Sequence, residues 1–128
     1  MLTYTKTLTT ADYFKNFNCA DYTDCVIQLN GIWAGTIEFY ATNKGEPTGV
    51  SEMDLFAVQS ITGTSWTTAV TSESGSSPST ERNIFRVPVA GLTNIAIYGD
   101  VLINPMFGTP FSGSVELTVT FVSNTNAR

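Results

Sequence analysis

The sequence predicts an all-β domain, an antiparallel β-sandwich of jelly-roll-like or Ig-like type with seven to eight strands and at most one short helix near the N-terminus. Three observations lead there. Apolar side chains recur at every second position in several runs, the spacing that sends alternate residues to opposite faces of a sheet. Turn-forming residues separate those runs at the intervals expected of a sandwich or barrel. The chain has 128 residues, enough for one core and too few for two.

The Thr-rich Leu2–Leu8 stretch reads as an edge strand or an arm. Around Thr10–Phe17 a turn or two of helix is expected, with Thr10 as cap and Asp12 favourable to the helix dipole. Asp24–Leu29 is β-compatible and ends at an Asn30-Gly31 turn signal. Thr36–Tyr40 sets Ile37 and Phe39 against Thr36, Glu38 and Tyr40. After the turn signals at 43–47, Asp54–Ile61 and Trp66–Val70 are further strands. Arg82–Val89 places Phe85, Val87 and Val89 on one face, and Pro88 marks that strand as an edge or a bulge. Asn94–Tyr98 groups Ile95 with Ile97. The clearest alternation closes the chain, with Val115, Leu117, Val119 and Phe121 opposed to Glu116, Thr118 and Thr120.

Two loops differ in kind. Ser72–Asn83 is polar and Ser-rich. Asp100–Ser112 carries Leu102, Met106, Phe107 and Phe111, with Pro105 and Pro110 blocking regular pairing, and such a loop either folds back over its own core or docks onto a neighbour. One domain is expected, residues 1–30 forming an N-terminal arm and aromatic segment and residues 31–128 the sandwich body.

Charge narrows the function. Asp, Glu, Lys and Arg make up 13% of the chain, about half the ~25% usual for globular proteins. Thr suits the outer face of a strand, and interface cores are depleted in charge, so strand exteriors and protein contacts both fit. With a net charge of −5 and only six Lys and Arg, nucleic acid is not an expected partner. No segment approaches the ~20 apolar residues of a membrane span, and the opening residues lack a signal-peptide core, so a protein made in the cytosol is expected. Cys19 and Cys25 are then expected as free thiols, with a small-loop disulfide the alternative.

No catalytic site is expected. The chain has no histidine, which removes Ser-His-Asp and Cys-His chemistry. No phosphate-binding or dinucleotide motif occurs, and no cofactor or metal is expected. Asp21 with Asp24, or Glu52 with Asp54, are the remaining carboxylate pairs, read as solvated loop residues. Trp33, Trp66, Tyr40 and Tyr98 are the aromatic candidates for stacking on sugar rings, and Trp66 and Tyr98 lead.

The stretch Gly31-Ile32-Trp33-Ala34-Gly35-Thr36-Ile37-Glu38-Phe39, with Ile84-Phe85-Arg86-Val87-Pro88-Val89-Ala90-Gly91-Leu92 and the closing Ser114–Val119 strand, resembles small β-sandwich proteins encoded among tailed-bacteriophage structural genes. The resemblance covers roughly residues 31–122 and implies a virion part, such as a capsid decoration (cement) protein or a tail-associated module. The long apolar loop and the aromatic segment Tyr13–Tyr22 depart from that pattern, and subunit contacts are expected there. The expectation is a non-enzymatic cement protein on the capsid surface, assembled in the host cytoplasm. It would act as a dimer or trimer bound to the major capsid protein. The expected contact residues are Leu102, Met106, Phe107 and Phe111 in the loop, with Tyr13, Phe14 and Phe17 in the N-terminal segment. The alternative is a tail, fibre or carbohydrate-binding module using Trp66 and Tyr98.

Overall fold

The computed structural model describes residues 1–61, 65–72, 84–102 and 109–123. Ten strands are hydrogen-bonded into one antiparallel sheet. They are β1 (Leu2–Thr9), β2 (Phe14–Asn18), β3 (Asp24–Thr42), β4 (Asp54–Leu55), β5 (Val58–Ser60), β6 (Trp66–Thr67), β7 (Ala69–Ser72), β8 (Ile84–Pro88), β9 (Asn94–Gly99) and β10 (Ser112–Val122). No α-helix occurs among the described residues, and a single 3-10 turn spans Val50–Glu52.

The fold turns on β3. Its first half pairs with β10 and β8, and its second half with β9, β7 and β4. One wing of the sheet therefore runs β1-β10-β3-β8-β5-β6. The other places β9 between β2 and the far half of β3. The wings meet through side chains. Tyr4 of β1 packs edge-on to Phe17 of β2, and Phe39 of β3 lies against Phe85 of β8. Inward residues from both wings form one core that includes Leu8, Ile27, Phe39, Ile97, Val119 and Phe121. Fully burying one such side chain contributes roughly 1.5–3 kcal/mol, so this cluster is the main source of stability.

Close approach explains the glycines in β3. A Cβ on Gly31 would lie 2.2 Å from the Ser114 carbonyl oxygen, and one on Gly35 would lie 2.6 Å from the Phe111 Cα. Gly35 also has φ +97°, which L side chains rarely adopt. Strands that pass from one layer to another bend at such points.

Several expectations change. The chain is all-β and antiparallel as expected, but the described residues form ten strands in one sheet where seven to eight in a sandwich were expected. Asp24–Leu29 and Thr36–Tyr40 belong to one strand, because Asn30-Gly31 continues the ladder instead of turning: Asn30 faces Glu116 and Gly31 faces Val115. The expected strand Asp54–Ile61 divides into β4 and β5, and Trp66–Val70 into β6 and β7, each pair split between the wings. The expected helix at Thr10–Phe17 is absent. Thr9 and Asp12 exchange backbone hydrogen bonds in a tight turn, and the chain enters β2 at Phe14 because Phe17 alternates into the core. The expected boundary at residue 31 falls inside β3, and β1 pairs with β10 along its whole length.

β1 forms the rim of its wing, and it carries a charge that limits further pairing. The Lys6 ammonium points inward, donates to the Asn16 carbonyl at 2.8 Å, and lies 4.7 Å from the Phe17 ring centroid. An inward-directed lysine on an edge strand disfavours uncontrolled strand addition while tying β1 to β2.

Candidate functional site

The expected contact residues separate into three groups. Phe17 and Phe111 belong to the core, with relative exposures of 2% and 1%. This corrects their reading as docking residues. Phe111 is held by the Asp100 carbonyl, which accepts from its N–H at 2.6 Å, and its ring fills the space above Gly99, where a Cβ would come within 2.4 Å of it. Trp33 lies against the same ring, at 6.3 Å between centroids. The far end of the apolar loop thus folds back over its own core. Leu102 is exposed, and Met106 and Phe107 lie outside the described residues.

Tyr13, Phe14 and Tyr98 come together on the outer face of the second wing. Phe14 pairs with Tyr98 across β2 and β9, and Tyr98 with Glu38 across β9 and β3, so all three share that face. Tyr13 and Tyr40 each present an edge to Tyr98, at 5.8 and 6.1 Å between centroids. Beside them a hollow is walled by Tyr13, Phe14, Tyr98 and the 48–51 segment. The sequence offers Tyr40 as a sugar-stacking candidate and not as a contact residue, and its alternation with Ile37 and Phe39 places it on this outer face.

Two of the carboxylates near these rings, Glu38 and Asp100, keep their charge beside the phenols. The Tyr40 hydroxyl donates to Glu38 Oε1 at 3.0 Å. Burial, followed by that bond and by the Glu38 charge, raises the Tyr40 phenol above its ordinary value. Tyr98 is raised by burial and then by Asp100 and Glu38. Both hydroxyls therefore stay protonated and remain donors through the neutral range. Asp12 is ion-paired with Lys15.

Trp66 lies elsewhere, on the outer face of the first wing. It borders a groove of about 500 Å³ with Gln59, Arg86, Asp24, Val26 and Pro88. This groove is the second surface with concentrated chemistry.

Glu52 Oε1 accepts from the Thr48 N–H at 3.0 Å and Oε2 from the Thr48 hydroxyl at 2.8 Å, which lowers its pKa and braces the turn before β4. Among the described residues no cluster of three or more potential metal-ligating side chains occurs.

Both cysteines are free and buried. Burial raises the Cys19 thiol to about 11, and raises Cys25 further, with the neighbouring Cys19 and Asp24 adding to the effect. The thiolate is the reactive form, so at about pH 8 both groups are expected to be inert in the folded chain. Ellman's reagent should label neither thiol until denaturant is added and both afterwards; rapid labelling of the native protein would show that one thiol is accessible.

No protein-family model and no curated protein matches the sequence. Among solved structures, the fold is similar to that of the SPBc2 prophage-derived protein YomS. The TM-score is 0.61 at 14% sequence identity, covering 96% of this chain and 96% of that one. The likeness runs end to end and shows a shared fold.

Proposed function

We propose that this chain is a phage-encoded, non-enzymatic structural protein that works as a homo-oligomer on the virion, most specifically as a capsid decoration protein. In this reading the folded sheet serves as a rigid, sandwich-like body. The observation that carries the proposal is the aromatic face of Tyr13, Phe14, Tyr40 and Tyr98 outside the second wing. Clustered outward-facing aromatics mark contact surfaces, and tyrosine is enriched there because its ring is apolar and its hydroxyl tolerates water. The fold shared with a prophage-derived protein supports the phage association.

The face meets a second copy of the chain. Each copy has a net charge of −5, so two copies approach most easily where charges are already partnered. Around this face Asp12 is paired with Lys15, which takes one repulsive charge out of the contact. The assembled oligomer then bridges shell subunits, with the exposed Leu102 as a further contact residue and no change of covalent structure required.

Tyr13→Ser combined with Phe14→Ser tests this. In sedimentation velocity the parent should run as an oligomer and the variant as a 13.8 kDa monomer, with the β-sheet circular-dichroism signal retained. A parent that is already monomeric at particle-like concentrations, or a variant that still self-associates, would remove this face from the contact.

A further inference from the structure

The outer face of the first wing carries chemistry that the contact reading does not use. Residues directly opposite one another in antiparallel strands point to the same side of the sheet. Trp66 faces Gln59, Gln59 faces Arg86, Arg86 faces Val26, Val26 faces Thr120 and Thr120 faces Thr3. One unbroken row therefore crosses six strands, from β6 to β1. At the ~4.8 Å spacing of neighbouring strands it is roughly 24 Å long. The groove of about 500 Å³ lies at its Trp66 end, where Asp24 and Pro88 add to the lining.

We propose that this row is a binding site for an uncharged saccharide, with one pyranose stacked on Trp66 and the chain extending toward Thr120 and Thr3. Trp66 is 54% exposed on a two-residue strand, so a large apolar ring stands in water beside a groove. The axial C–H groups of a pyranose present a flat apolar face to such an indole. Val26 and Pro88 continue the apolar surface beneath it.

The polar groups fit hydroxyls in particular. A sugar hydroxyl both donates and accepts, so its site needs groups of both kinds. Arg86 offers only donors and Asp24 only acceptors. Arg86 makes no ion pair among the described residues. Asp24 Oδ2 accepts from Thr23, and Oδ1 has no hydrogen bond among them. At the far end of the row the Thr3 and Thr120 hydroxyls are linked at 3.1 Å and continue the hydroxyl-matching surface. An anionic ligand would gain from Arg86 but be opposed by Asp24 and by the net charge of −5. A cationic ligand would gain from Asp24 and from the net charge but be opposed by Arg86. A neutral saccharide satisfies both groups at once.

The site lies on the wing opposite the tyrosine face, so the two readings fail separately. The test is affinity electrophoresis and tryptophan fluorescence titration with neutral oligosaccharides built from glucose, galactose, mannose and N-acetylglucosamine, and with oligogalacturonate as the anionic comparison. At least one neutral oligosaccharide should bind, and Trp66→Ala should weaken it by about tenfold or more. Arg86→Ala should weaken it as well. Both variants should keep the parent's β-sheet spectrum and sedimentation, while Tyr13→Ser should leave saccharide binding unchanged. The proposal is overturned if no neutral oligosaccharide binds, if only the anionic one binds, or if Trp66→Ala binds as tightly as the parent.

Discussion

Replacing Phe111 with alanine is expected to cost about 3–5 kcal/mol of folding stability, read as a fall in the urea midpoint at unchanged slope. The ring is 1% exposed, lies on Trp33 and fills the space left open by Gly99. Removing it leaves a cavity lined by backbone on one side and an indole on the other, with little that can collapse inward. Small domains have total stabilities of only about 5–15 kcal/mol, so the variant should lie near the edge of folding at physiological temperature. Val101, which packs at the margin of the same core, provides a comparison, since it is only partly buried and its truncation should cost less. If Phe111→Ala unfolds at the parental midpoint while altering self-association, the ring belongs to an interface after all.

Gly35→Ala should be comparably damaging for a different reason. The new methyl would sit 2.6 Å from both the Phe111 Cα and amide nitrogen and 2.7 Å from the Pro110 carbonyl carbon. These are backbone atoms that cannot move aside without shifting the whole return of the loop. The residue also has φ +97°, unfavourable for any L side chain. Conformational strain of about 1–2 kcal/mol and overpacking of about 1–3 kcal/mol add to an expected loss of about 2–5 kcal/mol. Gly45 provides the control: it has a similar φ of +98°, but nothing lies within 4 Å of an added Cβ. Gly45→Ala should therefore show the conformational penalty alone. Equal losses at the two positions would mean that the close approach of β3 to residues 110–111 contributes nothing.

The same corner shows how much of the fold was legible. Alternation identified the inward faces of β3, β8 and β10 because each buries one side along most of its length, and it grouped Ile95 with Ile97 in β9 although Asn94 and Ala96 are buried on the other side as well. What it missed was continuity. Cys25, Ile27, Leu29, Trp33, Ile37 and Phe39 keep one parity from end to end, and Gly31 and Gly35 occupy inward positions of that same series. A glycine that keeps the inward phase of an unbroken alternation marks a close backbone approach, whereas a turn would reset the phase. Reading Asn30-Gly31 as a turn overlooked this. The helix expected at Thr10–Phe17 failed because a capping signal is local, whereas the pairing of Phe14 with Tyr98 is set by a strand far along the chain.

The candidate surfaces were legible only in part. Composition pointed to exposed aromatics, and Tyr13, Phe14, Tyr98 and Trp66 are on or near the surface. It could not assign Phe17 and Phe111 to the core, since an apolar loop folded over its own domain has the same composition as one that docks elsewhere. Nor could it pair Tyr98 with Tyr13 and Tyr40 while setting Trp66 beside Arg86 and Gln59, because that sorting depends on which wing each strand joins.

The central claim is that this chain is a structural part of a virion, held there by non-covalent contacts. The most direct measurement is its copy number in phage particles purified from a host that carries its gene, by quantitative mass spectrometry against the major shell protein. The account predicts a number comparable to that of the shell protein. Complete absence of the chain from purified particles would contradict it.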